Sequence, residues 1–144
     1  MADLDLTTAD KVNVDSLTVT QRTFVAASNI TAGAPCYIVG ATGKVAHSDA
    51  NATPLDVVWG ISTKTVLAGE AVTLVRRGEM SGWDLSALDY GAPVFLSNTV
   101  GRLESAAGGT NVTVGHVVPI FATTLGTAPD KAILVELTTP ELAA

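Results

Sequence analysis

The chain has 144 residues, 47% of them hydrophobic and only 15% charged, with a formal net charge of −6 and a pI near 4.6. Soluble domains average about a quarter charged residues, and the mean hydropathy of +0.38 excludes a disordered chain, which would be charge-rich and poor in apolar side chains. The acidic balance argues against a nucleic-acid surface, which needs clustered Lys and Arg, and the lone Cys36 excludes an intrachain disulfide framework or a Cys-based zinc site.

Residues 1–17 are read as an extended N-terminal arm ahead of a single domain over 18–144. The first fifteen carry Asp3, Asp5, Asp10 and Asp15 against Lys11, with no aromatic. Such a segment has too little apolar surface for its own core. It is either a frayed end or an arm whose Leu6, Val12, Val14 and Leu17 add a strand to a partner's sheet edge. Met1 to Asp5 is acidic where a signal peptide would be basic, which predicts synthesis in a cytoplasm. No apolar run escapes Gly, Pro or Asn for the roughly twenty residues that a transmembrane helix needs. The sequons at Asn29, Asn51 and Asn111 are read as products of an Asn- and Thr-rich chain.

From there the period is two. Residues 18–28 are rich in β-branched types and predict a strand. A turn at Asn29–Gly33 leads into a strand over Pro35–Val39, and Gly40–Gly43 makes a hairpin into Lys44–His47. A polar loop over Ser48–Pro54 precedes a strand over Asp56–Ser62. Ala68-Gly69-Glu70 turns the chain into Ala71–Arg76. Asp84–Asp89 predicts one capped helical turn. Further strands are expected at Pro93–Ser97, Arg102–Glu104, Val112–Phe121 and Lys131–Leu137. A helix start at Thr139–Leu142 has too little chain behind it to matter. Short strands with Gly-bearing turns every eight to twelve residues predict an all-β fold, a small β-barrel or β-tulip-like domain of antiparallel strands.

An internal repeat runs through this pattern. Gly33-Ala34-Pro35-Cys36-Tyr37-Ile38 aligns without gaps to Gly91-Ala92-Pro93-Val94-Phe95-Leu96, and in the same register Gly43-Lys44-Val45 falls on Gly101-Arg102-Leu103. Gly33, Gly43, Gly91 and Gly101 are expected at turns with positive φ, and Pro35 and Pro93 at strand starts where no donor is lost. Two matching hairpins suit barrel-like closure.

Chemistry-bearing residues are sparse. His47 and His116 lack metal-ligand spacing, and no metal or cofactor is expected. Cys36, inside an apolar strand, reads as a small buried hydrophobe. Asp49 and Asp56 read as loop-turn formers, and no nucleophile elbow or P-loop is present. Asp130-Lys131-Ala132 resembles a lipoyl-carrier tip, but Pro129 precedes it and the chain is too long. Arg76-Arg77 alone is no nucleic-acid patch. An enzyme is not expected. More telling, Ala71–Arg77 and Val112–Phe121 carry apolar residues on both faces, whereas a half-solvated strand alternates. Either the chain covers both faces itself or another subunit covers one, and the low charge favours the subunit.

Three stretches resemble the capsid decoration (cement) proteins of tailed bacteriophages: Asn29–Ile38, Gly43-Lys44-Val45 and Val58-Trp59-Gly60-Ile61-Ser62. Ala68–Glu79 and Tyr90–Leu96 extend the likeness across about residues 18–138. The resemblance implies a small β-barrel that trimerises on the outer surface of an expanded capsid and clamps neighbouring major capsid protein subunits. It implies no catalytic residues, and no nucleic-acid or membrane partner. Asp3, Asp5, Leu6, Val12, Val14 and Leu17 are the candidate capsid-binding residues. The competing reading is a trimeric receptor- or glycan-binding module of a virion, which would expose two or more aromatics on one face, whereas Trp59 and Trp83, the only tryptophans, both lie near apolar neighbours.

Overall fold

Alternating β-branched and apolar residues, punctuated by glycine turns, form strands throughout the computed structural model, which describes residues 3–14, 19–50, 57–106, 112–120 and 130–137. The strands are β1 (Asn13–Val14), β2 (Thr20–Val25), β3 (Pro35–Ile38), β4 (Val45–His47), β5 (Gly60–Ser62), β6 (Ala71–Ser81), β7 (Pro93–Leu96), β8 (Leu103–Glu104), β9 (Thr113–Pro119) and β10 (Lys131–Glu136). No helix occurs among the described residues. At Asp84–Asp89 the expected helical turn is a single hydrogen-bonded turn, the Leu88 amide donating to the Leu85 carbonyl (3.0 Å), with Asp84 at its start. The Ser86 amide (3.1 Å) and hydroxyl (2.7 Å) both donate to Asp84 Oδ1 and hold that carboxyl below its ordinary value.

All pairings between named strands are antiparallel, in the order β4-β3-β5-β6-β10-β9-β7-β8, with β1 and β2 added to β6. The sheet curls into a half-barrel, bringing the ends of that order together. The Gly101 amide donates to the Ser48 carbonyl (2.8 Å) and the Ala50 amide to the Ser97 carbonyl (3.0 Å).

The sequence repeat is a repeat of structure. Tyr37 faces Ala46 and Ile38 faces Val45 in the first hairpin, and Phe95 faces Glu104 and Leu96 faces Leu103 in the second, each pair displaced by the same 58 residues. The offset also relates the Val39-to-Lys44 hydrogen bond to that of Ser97 with Arg102. Cys36 and Val94, equivalent in sequence, each pair with a glycine on the following strand, Gly60 and Gly115. At both sites a Cβ would stand under 3 Å from neighbouring atoms, Leu74 Cβ and the Val75 carbonyl at Gly60 and the Leu134 carbonyl at Gly115. One residue on, Ile61 faces Val75 and His116 faces Leu134. Two further along β6 and β10, the equivalent residues Arg77 and Glu136 pair with each other. Two four-stranded halves thus join back to back about a pseudo-two-fold at the Arg77–Glu136 pair. Gly33, Gly43, Gly91 and Gly101 have φ of 74°, 72°, 84° and 74°.

Two apolar clusters lie on opposite sides of β6. One contains Val72 and Leu74 with Ile30, Cys36 and Val45; the other contains Val75 and Met80 with Ile61, Leu96, Val114 and Ile133. For β6 the curled sheet covers both faces within one chain, whereas on β9 Thr113, His116 and Pro119 remain exposed. In β9 a register shift between Val94 and Phe95 leaves Val114 opposite no residue of β7, so both Val114 and Val117 turn into the core.

Candidate binding surface

The structure lays residues 3–14 along their own domain, which differs from the expectation of an arm reaching to a partner. Asp3 bridges Glu104, Leu6 bridges Trp83, and Asn13 and Val14 pair with Ser81 and Met80. The Leu4 amide donates to the Leu103 carbonyl (2.8 Å), the Thr7 amide to the Gly82 carbonyl (2.7 Å) and the Asp84 amide to the Asp5 carbonyl (2.7 Å). The physical reason is apolar spacing. Leu4 is 8% exposed in the larger cluster, and Leu6, Val12 and Val14 pack against it.

The acidic candidates are likewise engaged at home. Asp3 accepts from the Ser97 hydroxyl. Asp5 pairs with Arg102 at 2.7 Å, an exposed ion pair. Asp10, at φ 60°, accepts from the Thr65 hydroxyl (2.8 Å). Leu17 lies outside the described residues, as do Asp15, Asn51, Asp56, Asn111, Phe121 and the Thr139–Leu142 segment.

Cys36 is fully buried, and burial pushes its thiol far up, so it packs as a hydrophobe. His47 is half-buried, its Nε2 accepting from the Thr31 amide (3.2 Å) with the turn at Gly101 against its ring. Burial lowers its pKa. His116 is exposed on β9. Among the described residues no group of three His, Cys, Asp or Glu side chains could hold a metal ion. A cavity of about 460 Å³ between residues 4–10 and the turns at Gly33 and Gly101 is lined by Asp5, Arg102 and Trp83 among others.

The sequence reading missed the other side of β6. There β2 pairs with β6 along one edge, and where β2 ends its other edge meets β4: Ala26 bridges Val45 in parallel and the Ala27 amide donates to the Val45 carbonyl (2.8 Å). Thr20, Gln21, Arg22, Thr23 and Val25 are exposed, and Phe24 is half-buried. Beside this edge Phe24 meets Trp59 edge-to-face, with ring centroids 4.9 Å apart. Arg22 lies over Phe24 (5.6 Å) and Arg76 over Trp59 (5.1 Å), so two guanidinium groups bracket two rings. Arg76 is 9% exposed; its Nη1 donates to the Trp59 carbonyl (2.8 Å), while Nη2 has no acceptor among the described residues. The other tryptophan, Trp83, is buried in the core. The Arg22-x-Phe24 spacing on a strand was the only advance signal of this cluster, since it sets a cation beside a ring on one face.

No family model matches the sequence.

Proposed function

We propose that the chain is a non-enzymatic structural protein of a phage virion. It is made in the host cytoplasm, binds the outer surface of the expanded capsid as a homotrimer and bridges major capsid protein subunits. The observation that carries this reading is the exposed strand β2, whose Thr20, Gln21, Arg22, Thr23 and Val25 lie at the surface of a doubly cored domain and which meets β4 only at its end, at the Ala26–Val45 bridge. An exposed strand edge is a ready template for another chain. The sequence resemblance supplies the kind of partner. The homotrimer is carried by the resemblance, because β6, one of the two strands that suggested it, is covered on both faces within one chain. A trimer suits the role, since three linked contacts raise avidity without any strong single contact.

Purified chain mixed with expanded empty heads tests this. The expected result is saturable decoration, with trimers by sedimentation or as clusters on the shell. Heads that take up none of the chain at tens of micromolar (about the weak limit of useful affinity) would overturn the reading.

A further inference from the structure

Where the two ends of the strand order meet, an imidazole stands in the seam. His47 ends β4, and its Nε2 accepts from the Thr31 amide (3.2 Å). On its other side lies the turn at Gly101, so close that a Cβ there would stand 2.7 Å from Nδ1 and 2.8 Å from Cγ. Two backbone bonds tie that turn to the chain just after His47. The Gly101 amide donates to the Ser48 carbonyl (2.8 Å), and the Ala50 amide to the Ser97 carbonyl (3.0 Å). The ring is thus wedged between two turns, one from each half of the molecule. We propose that His47 is an acid-sensitive latch: neutral, it keeps the seam of the half-barrel shut, and protonated, it drives the Gly101 turn away from β4. The latch is independent of the capsid reading.

An imidazole accepts a hydrogen bond only while it is neutral, because both nitrogens of the cation are donors. Protonation would therefore set Nε2–H against the Thr31 N–H and leave both without an acceptor. Thr31 is held in place: its carbonyl accepts from the Ser62 hydroxyl (2.5 Å), and the next amide, that of Ala32, donates to the Thr65 hydroxyl (3.1 Å). The end of β4 is held too, since the Ser48 amide donates to the Pro35 carbonyl (2.8 Å) and its hydroxyl to the Val57 carbonyl (2.6 Å). The way left for the ring is toward Gly101. Movement there breaks the two seam bonds, gives the charged ring water and widens the 460 Å³ cavity that Thr31, Gly101 and Arg102 all line. The ionisable groups around the ring are few. The turn at 29–33 brings none, and β3 brings Cys36 and Tyr37. Lys44 and Asp49 flank β4, Arg102 follows the Gly101 turn and pairs with Asp5, Glu104 stands on β8, and Asp10 lines the cavity. Burial is what lowers the pKa of His47. The latch is therefore shut above the ordinary imidazole range and is lost as pH falls through the lowered value.

The test follows the full isotope-labelled chain by NMR between about pH 8 and pH 5, the range in which imidazoles titrate. The Thr31 and Gly101 amide shifts should change with the midpoint of the His47 ring, and not with that of His116, which is exposed on β9. Across that midpoint the exchange protection of the Gly101 and Ala50 amides, corrected for the intrinsic pH dependence of exchange, should fall roughly tenfold, the scale of one donor left unsatisfied. Amides in the core of β6 and β10 should keep theirs. In His47→Gln, whose side-chain oxygen accepts at every pH, the fall at the seam should vanish. With Trp59→Phe leaving Trp83 as the sole indole, acrylamide quenching should rise over the same midpoint, because Trp83 lines the cavity. Seam protection that holds through the His47 midpoint, an equal fall in the core of β6 and β10, or a fall that persists in His47→Gln would each overturn the proposal. So would seam shifts that follow His116, or quenching that stays flat. If His47→Gln does not fold, the ring and amide midpoints of the parent chain still decide it.

Discussion

Replacing Leu4 with Ala separates a strap that belongs to the fold from an arm that waits for a partner. Leu4 is 8% exposed, packs in the larger core cluster and is held by its own amide to Leu103 and through its carbonyl to Arg102 (3.0 Å). Those backbone bonds survive the substitution, so the loss is one of packing. Burying a leucine contributes about 1.5–3 kcal/mol through transfer alone, and leucine-to-alanine changes in cores cost about 2–5 kcal/mol once the cavity is counted. Leu4 sits at the rim of its cluster, where the strap can settle inward, so the low end applies: about 2–3 kcal/mol. For a chain of this size that is a fall in Tm of roughly 6–9 °C. Urea unfolding followed by tryptophan fluorescence suits the assay, because Trp83 pairs with the strap at Leu6. Asp5→Ala, which removes only an exposed ion pair with Arg102, should cost well under ~1 kcal/mol. A Leu4→Ala protein within about 0.5 kcal/mol of the parent would show that residues 3–14 contribute nothing to the fold.

Three further outcomes follow from the same geometry. Burial lowers the pKa of His47 below its ordinary 6.5, so the unfolded chain takes up a proton before the folded one. The stability from neutral His47 is therefore whole above about pH 6.5 and lost as pH falls toward the folded value; a urea-midpoint series should show this decline, shallower in His47→Gln, and parallel curves would refute it. Gly43 and Gly101 share a positive φ, but a Cβ at Gly43 meets open space whereas one at Gly101 stands 2.7 Å from His47 Nδ1. Gly43→Ala should cost about 1–2 kcal/mol, and Gly101→Ala about 1 kcal/mol more; equal losses on urea unfolding would refute the packing argument. Arg76→Met replaces a buried guanidinium with an orphaned Nη2 and should leave stability unchanged or raise it by up to ~2 kcal/mol, whereas a loss above ~2 kcal/mol on urea unfolding would show that its nitrogens are satisfied.

The fold was legible because its signals are local. Period-two runs such as Ala71–Arg76, and glycines where the chain must turn left-handed, locate the strands over most of the described residues and even the shared hairpin register. What local pattern could not supply was the curl. Val72 and Val75 point to opposite faces of one strand, and whether a second face is wet, covered by a subunit or covered by the chain's own far end is decided by strands distant in sequence. Leu4 and Leu6 posed the same problem. Their spacing suits a strand, and nothing local says whose sheet receives it. The Phe24–Trp59 contact joins residues from β2 and the approach to β5, so of the bracketed rings only the Arg22-x-Phe24 half was written in a single segment.

The pseudo-symmetry separates what builds the domain from what is added to it. The halves β3–β6 and β7–β10 repeat strand order and pairing; both contribute to the larger core, whereas the smaller one draws only on residues up to Leu74. Residues 3–14 have no counterpart in the second half; they attach to β6 and take Leu4 and its neighbours into the core. β2 does have one: Glu79 and Met80 pair with Leu134 and Ile133 of β10 as Gln21 and Arg22 pair with Val75 and Leu74 of β6. The long β6 therefore serves twice, as the last strand of the first half and as the second half's equivalent of β2, which is why it lies between both cores. Where β2 ends it meets β4, with Ala26 bridging Val45 and the Ala27 amide donating to the Val45 carbonyl (2.8 Å), so the first half closes on itself through strands that the repeat already contains.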